Sequence, residues 1–378
     1  LNFFYKGLQW PGKGRRYAAL ALLLCANFYA PAQGSLAPYE ALFTEPKAYV
    51  ASYTDAPVNI DGSLNERAWK DAAWTDLFVD IEGTKKPKPL HATRVKMAYN
   101  DTFLFVAAYL EEPHVWATLK QRDTIIYHDN DFEVFISASN NGHQYYEVEV
   151  NAFNTILDLM MPKPYRDGAG AVIGYDLCEL KSAVQVQGTL NNPADKDNGW
   201  SVELAIPFRS LIAGNTWKAP GEGQIWRINF SRVHWQTEIV AGRYVRKKDS
   251  KGKLLPEYNW VWSPQGVINM HYPERWGYLQ FTREGGKNVA FTLPYSEKRR
   301  PYLWLLYYKQ KAFYQKHGKY ATRLSDLDIA TPEIWIDGQA NKLSLEATSR
   351  QFIASITDQH NTITLNHDGL VQQTAKPL

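Results

Sequence analysis

The feature that most constrains this chain is a long run of short segments with a period of two. From about Pro46 to Arg283, apolar and polar residues alternate over stretches of six to ten residues, broken by turn residues. RVKMAY (Arg94 to Tyr99) and FLFVAAYL (Phe103 to Leu110) flank Asn100-Asp101-Thr102, a hairpin signal. DFEVFIS and QYYEVEVN flank Ala138 to His143, which carries Asn140-Asn141-Gly142, and form a second. GWSVELAIPF, QIWRINFSRVHW and WGYLQF supply further strands. Helical pattern in this region is confined to short pieces such as LNERAWKDA, where Asn65 or Ser63 would cap the helix. Many short strands with turns between them predict an all-β antiparallel sandwich or jelly roll over 46–283.

Past Arg283 the period changes. RRPYLWLLYYKQKAFYQKHGKY sets Leu303, Leu306, Tyr307, Phe313 and Tyr314 at helical spacing, with Gly318 as the stop. PEIWIDG, QFIASITD and NTITLNHDG then read as polar strands, so 284–378 is expected to be an accessory region of one amphipathic helix and a few strands. The opposite end reads as a leader. Lys6, Lys13, Arg15 and Arg16 precede the apolar YAALALLLCANFYA and the small-x-small Ala30-Pro31-Ala32, the pattern of a signal peptide over 1–32. No later stretch has the roughly 18 consecutive apolar residues of a spanning helix. The expectation is an exported protein, periplasmic or extracellular, without a transmembrane anchor. Cys178 is then the one cysteine of the mature chain, which leaves no internal disulfide.

Composition narrows the partners. A net charge of +3 with no basic block argues against nucleic acid. The 13 Trp, 23 Tyr and 16 Phe suit a β-rich protein whose surface stacks against sugars.

The stretch YHDNDFEVFI (Tyr127 to Ile136) concentrates the candidate chemistry. Alternation puts Phe132, Val134 and Ile136 on one face, and Asp131, Glu133 and Phe135 on the other. In the return strand Tyr146, Val148 and Val150 join the apolar face, leaving Tyr145, Glu147, Glu149 and Asn151 with Glu133. Any register that keeps the apolar faces together sets Glu133 opposite Glu147 or Glu149. Like charges placed so are destabilising. Either this face is solvated, or its carboxylates are compensated by Arg94, Arg122, Arg227 or Arg232, by a metal, or by a hydroxyl-rich ligand. A second constellation, Met270 to Trp276, supplies His271, Tyr272 and Arg275 around Pro273 as the other wall of a cleft; alternatively, Trp276 and Tyr278 are simply core.

The ordered motifs VNIDGSLNERAW, VKMAYNDTFLFVAAYL, DFEVFI, GWSVELAIPF and WSP…PERWGYLQF are together similar to the family-9 carbohydrate-binding modules, over roughly Asp55 to Phe281. The resemblance implies an antiparallel β-sandwich, within a wider group of haem- and sugar-binding extracellular domains, often with structural calcium. It also implies two aromatic rings that clamp a terminal sugar. The first ring falls on Tyr127, the strand glutamate on Glu133, and further polar contacts on Glu147 and Asn151. The chain departs from the pattern where the family has an Arg, here Glu149, and where it has a second Trp, near Met270, with His271 and Tyr272 as substitutes.

The expected function is therefore non-catalytic binding of an oligo- or polysaccharide in the service of polysaccharide degradation. Stacking falls to Tyr127 and Tyr272, hydrogen bonding to Glu133, Glu147, Glu149 and Asn151, and either role to His271. Two other classes compete. A glycoside hydrolase would use Glu133 with Glu147 or Glu149, since neighbouring strands allow the roughly 5 to 9 Å separations that hydrolysis needs. A haem site would use Met270 or His271 with Met160, Met161, His128 or His234 as the opposite ligand. Asp129 and Asp131 are candidate calcium ligands, although their spacing lacks the EF-hand loop. The histidines are too scattered for zinc.

Overall fold

A computed structural model describes residues 38–211, 219–285 and 289–375. The expected leader, 1–32, lies outside the described residues. The main sheet is built from β1 (Ala48–Tyr53), β2 (Val79–Asp80), β3 (Thr93–Tyr99), β4 (Phe103–Glu111), β5 (Asp131–Ser137), β6 (Tyr145–Asn151), β7 (Ile156–Met161), β8 (Lys181–Gln187), β9 (Gly199–Pro207), β10 (Ile225–His234), β13 (Tyr258–Val261) and β14 (Gly277–Thr282). A separate small hairpin, β11 (Thr237–Val240) and β12 (Arg243–Arg246), follows β10. The strand order is β7-β6-β5-β10-β14-β1-β3-β4-β9-β8, with β13 paired to both β10 and β2.

This sheet curls into two layers around one core. Phe132, Val134 and Ile136 of β5, with Tyr146, Val148 and Val150 of β6, share a cluster with Val95 and Met97 of β3, Leu104 and Val106 of β4, and Val202 and Leu204 of β9. Each of these sits two residues from the next, as the pleat requires when one face of a strand is buried. The expected sandwich is present, with one departure from an antiparallel arrangement: β1 runs parallel to both neighbours, β14 and β3. Those neighbours are remote in sequence or joined to β1 by a long connection, so no tight hairpin dictates the direction of β1.

The outer face of the β3-β4-β9 layer is closed by α1 (Arg67–Asp71), whose Trp69 lies among Ala98, Phe105, Ala107 and Ala205. Its indole N–H donates to Glu203 Oε1 at 2.5 Å. Neither Ser63 nor Asn65 caps this helix. Asn65 Nδ2 donates to Ser63 Oγ and the Ser63 N–H to Asp61 Oδ1, so both residues close the preceding turn.

Beyond the sandwich, α2 (Tyr295–His317) ends at Gly318, whose φ of +68° is the left-handed stop that glycine favours. A five-stranded antiparallel sheet follows, in chain order: β15 (Glu333–Ile336), β16 (Gln339–Ala347), β17 (Phe352–Thr357), β18 (Asn361–Asn366) and β19 (Val371–Ala375). Leu303 to Tyr307 are buried without a break, which one amphipathic stripe would not produce. The helix is enclosed on two sides. Leu303 and Leu306 meet Ile356, Ile363 and Leu365 of the small sheet. On the other side Glu297 binds Arg227 of β10 at 3.0 Å, and Tyr307 and Tyr308 donate to Asp167 and Glu274 of sandwich loops. No described helix is long and apolar enough to cross a membrane.

Candidate functional site

The acidic face of β5 and β6 is not solvated. Asp131, Glu133, Glu147 and Glu149 are each at most 5% exposed. The register pairs Glu133 with Glu149, and Phe135 with Glu147. On the other side of β5, Ser231 of β10 lies opposite Glu133. A second hydrophobic layer closes over this outer face, formed by Ile126, Phe135, Tyr145, Leu157, Leu159, Met161, Val261, Met270 and Trp276. The loop from Met270 to Trp276 is thus both a cover on the sheet and, through Trp276 (0% exposed), part of the interior, which Tyr278 of β14 continues.

Between this loop and the hairpin is a cleft of about 460 Å³. Glu133, Glu147 and Glu149 line its floor, Phe135, Leu157 and Leu159 its apolar side, and Met270, His271, Glu257 and Asn259 the wall opposite. Two aromatic rings stand at its mouth. Tyr127 is 39% exposed and Tyr165 47% exposed, against near-complete burial for most rings of the sandwich.

The hairpin that carries the floor is held at its tip by a close backbone approach. Gly142 has φ +86°, and a Cβ there would lie 2.8 Å from the Gly369 carbonyl oxygen, on the turn between β18 and β19. Only a residue without a side chain fits that conformation and that gap. The Val371 N–H donates to Asn141 O, and His143 Nε2 lies 2.8 Å from Asp368 O, so the small sheet braces this tip.

The arginines expected to compensate the carboxylates do not reach them. Arg232 pairs with Glu112 at 2.9 Å, Arg227 with Glu297 at 3.0 Å, and Arg122 with Asp158; Arg94 lies over the Trp74 ring. Burial, followed by the Glu149 charge, pushes the Glu133 carboxyl up to about 8, and burial pushes Glu149 up to about 7. Burial and the same neighbours raise Glu147 and Asp131. Glu149 keeps one firm partner, the Tyr127 N–H at 3.0 Å, which fixes the rim ring relative to the floor.

His271 is held as a neutral ring. Burial, then the nearby Arg166 charge, lowers it to about 4, and its Nδ1 is 2.9 Å from the Tyr145 hydroxyl. Tyr165 meets its ring edge-on at 4.5 Å between centroids. Arg166 donates to the His271 carbonyl oxygen at 3.1 Å and to Glu274 at 2.9 Å, and its guanidinium lies 4.4 Å from the Tyr272 ring centre. The side chains that hold this wall are themselves stacked on α2.

Of the residues singled out from sequence, Tyr127, Glu133, Glu147, Glu149 and His271 come together in the cleft. Asn151, Tyr272 and Asp129 do not line it. Asn151 Nδ2 donates to Leu119 O and Asp129 Oδ2, and its Oδ1 accepts the Phe153 and Thr155 N–H groups. Asp129 accepts from the Thr118 and Leu119 N–H groups, the Thr118 hydroxyl and Asn151, so its oxygens are occupied by protein donors. Tyr272 faces away from the cleft and stacks on Tyr308 of α2 at 6.1 Å.

The haem alternative meets the same kind of obstacle. Gln265 Nε2 is 3.2 Å from the Met270 sulfur, and His234 is held at 3.2 Å from Glu112 with its ring stacked on Trp260. Sequence reading passed over Tyr165, although Lys163-Pro164-Tyr165-Arg166-Asp167-Gly168 is a turn signature with an aromatic at its crest, the kind of position that reaches a cleft.

Comparison with known proteins follows the same line. No curated protein sequence matches the chain. A Bacteroides uniformis ATCC 8492 structure described as carbohydrate-binding is 15% identical, covering 63% of this chain and 100% of its own, with a TM-score of 0.47. Two structures of a family 9 carbohydrate-binding module from Caldicellulosiruptor kristjanssonii cover 66% of this chain and 100% of their own, with TM-scores of 0.39. The one in complex with cellotriose is 16% identical and the one with glucose 15%. Residues 60–253, just over half of the 378, match the family described as carbohydrate family 9 binding domain-like, and the chain belongs to that family.

Proposed function

We propose that this protein is an exported, non-catalytic carbohydrate-binding protein that takes an oligosaccharide, or the end of a polysaccharide, into the cleft between the acidic hairpin and the Met270 to Trp276 loop. The observation that carries the reading is the cleft itself: two half-exposed tyrosine rings stand over a floor of buried carboxylates. Flat aromatic faces suit the C–H side of a pyranose, and carboxyl groups with Asn259 and His271 suit its hydroxyls. Tyr127 and Tyr165 are the stacking rings in this proposal, and Glu133, Glu147, Glu149 and His271 the hydrogen-bonding groups. Asn151 and Tyr272 act behind them, by fixing the hairpin base and the far wall. Residues 46–283 form the binding unit and 284–378 the accessory unit that braces it. Export rests on the leader pattern of 1–32, and a role in polysaccharide use rests on family membership.

Family-9 modules of known structure include one solved with cellotriose and with glucose, so soluble gluco-oligosaccharides are the first ligands to test. Calorimetric titration of the purified chain against a panel of oligosaccharides is expected to give saturable binding without turnover. Tyr127→Ala and Tyr165→Ala should each weaken it by about tenfold or more, the equivalent of roughly 1.4 kcal/mol for one stacked ring. A folded protein that binds no glycan in the panel would overturn the proposal. Reducing-end release that disappears in Glu133→Gln would replace it with hydrolysis.

A further inference from the structure

We propose that Asp131, Glu133 and Glu149 form an oxygen-donor site for one divalent cation, calcium by its ligand chemistry, beneath the floor of the cleft. The three residues are brought together by strand geometry alone. Asp131 and Glu133 are two apart on β5 and share a face; Glu149 is the cross-strand partner of Glu133 on β6. One carboxylate oxygen from each lies within 4.8 Å of the others. A calcium ion with oxygen ligands at about 2.3–2.6 Å spans up to about 4.6–5.2 Å between opposite oxygens, so the three are grouped on the scale of a shared ion and reach one by small side-chain rotations. Magnesium, at about 2.0–2.1 Å, would require them to close further.

Two observations separate this cluster from an ordinary acidic patch. The first is an unpartnered group: Asp131 is 0% exposed, and its Oδ2 accepts no hydrogen bond, while its Oδ1 has only the Val233 N–H at 3.3 Å. A buried carboxylate oxygen left without a donor is costly unless something positive sits against it. The second is the absence of any basic side chain from the surrounding elements, among the described residues. Arg232 on β10 is committed to Glu112, Arg227 to Glu297, and Arg166 beyond the far wall to Glu274. What faces the cluster is Glu147 from β6, Glu257 from the opposite wall and the Ser231 hydroxyl, and the last is a further neutral oxygen ligand.

The other two carboxylate groupings lack these properties. Asp123, Asp158 and Asp176 share Arg122, and Glu203 of the Asp61–Glu66–Glu203 group accepts three N–H donors. The ion would be open on the cleft side, where water completes a shell of six to eight oxygens.

The test uses the full chain stripped with a chelator, without sugar, so its result stands apart from the carbohydrate reading. Titration with calcium chloride by calorimetry, and with terbium by luminescence sensitised from the cleft tyrosines, is expected to give one saturable site and a calcium-dependent rise in melting temperature. Asp131→Asn and Glu149→Gln should each weaken the site at least about tenfold, because affinity follows the number of ligand charges. Asp123→Asn, at the Arg122 grouping, should leave it unchanged. If the cluster variants do not fold, anomalous scattering from terbium in crystals of the unmodified protein decides the matter by position. An ion within reach of Asp131, Glu133 and Glu149 supports the site. No saturable binding, an ion elsewhere, or loss of binding in Asp123→Asn overturns it.

Discussion

Glu297 offers the sharpest test of how the two halves of the molecule are joined. It sits in the first turn of α2 at 5% exposure, and four groups of the sandwich and helix converge on it. Arg227 Nη2 donates at 3.0 Å, Arg300 Nε lies at 2.9 Å, the Tyr278 hydroxyl donates at 3.2 Å and Asn140 Nδ2 at 3.0 Å. Arg227 is itself 5% exposed. Removing the anion leaves two buried guanidinium groups without a counter-charge, and breaking a buried pair from one side costs about 3–5 kcal/mol. Glu297→Gln keeps the shape and some of the acceptor capacity, so a loss of about 3 kcal/mol is expected. Taking away Arg227 as well, as Glu297→Met with Arg227→Met measured against the two Met singles, should recover at least about 1.5 kcal/mol of the sum of the single losses, because one of the two stranded cations goes with its partner while Arg300 remains. The assay is urea denaturation of the two singles and the double, with hydrogen exchange across 295–317 to locate the loosening. A Glu297→Gln loss below about 1 kcal/mol, or a coupling under about 0.5 kcal/mol, would refute the idea that this buried charge pair holds the helix to the sandwich.

Three further outcomes follow from the same reasoning. Gly142→Ala should destabilise the protein by about 1–3 kcal/mol in thermal or urea melts, since the added methyl meets the Gly369 carbonyl in a left-handed backbone; an unchanged melt would mean the two turns are not apposed. Tyr145→Phe removes the hydroxyl opposite His271 Nδ1 and leaves a buried ring nitrogen alone, for a loss of about 1–2 kcal/mol in stability, and sugar affinity should fall with it if the His271 ring is thereby released. For Glu112, burial favours the neutral acid, but the His234 hydrogen bond and the Arg232 charge outweigh it and hold the carboxyl down to about 2. Its folded value lies below its ordinary 4.5, so the stability it contributes, about 3 kcal/mol, is fully present above pH 4.5 and is lost as pH falls toward 2. Acid titration of Arg232→Met should show that loss displaced toward higher pH; superposable acid limbs in the two proteins would contradict the assignment.

Much of this architecture is legible in the sequence wherever a period of two meets a tight turn. The β3-β4 and β5-β6 hairpins have their turns at Asn100 to Thr102 and around Gly142, as composition suggests, because glycine, asparagine and aspartate tolerate the backbone that such turns require. The acidic face was legible too, but not its register. Alternation permits Glu133 to face Glu147 or Glu149, and the folded hairpin takes the register with Glu149.

Nearest neighbours in sequence misled for a single reason. His271 and Tyr272 are adjacent, and in extended chain adjacent side chains diverge. His271 enters the cleft while Tyr272 goes to α2. The arginines illustrate a different limit. Their partners, Glu112, Glu297 and Asp158, are 36 to 120 residues away in the chain, and charge pairing over such distances leaves no local pattern to read. The buried, cation-poor state of the cluster could emerge only once those partners were placed.

The parallel strand β1 carries a consequence for how the molecule assembles. Ala48 pairs with Tyr278 and Ser52 with Ala98, so β1 is the seam where the first and last strands of the sandwich meet. The β3-β4 and β5-β6 hairpins need only local chain, whereas the seam waits on β14 and must close a loop of more than two hundred residues. Refolding should therefore form the acidic floor early and seal the sheet late. A chain stopped short of residue 277 would hold the cleft's strands with open edges at β10 and β1, a surface on which a second unfinished chain could pair.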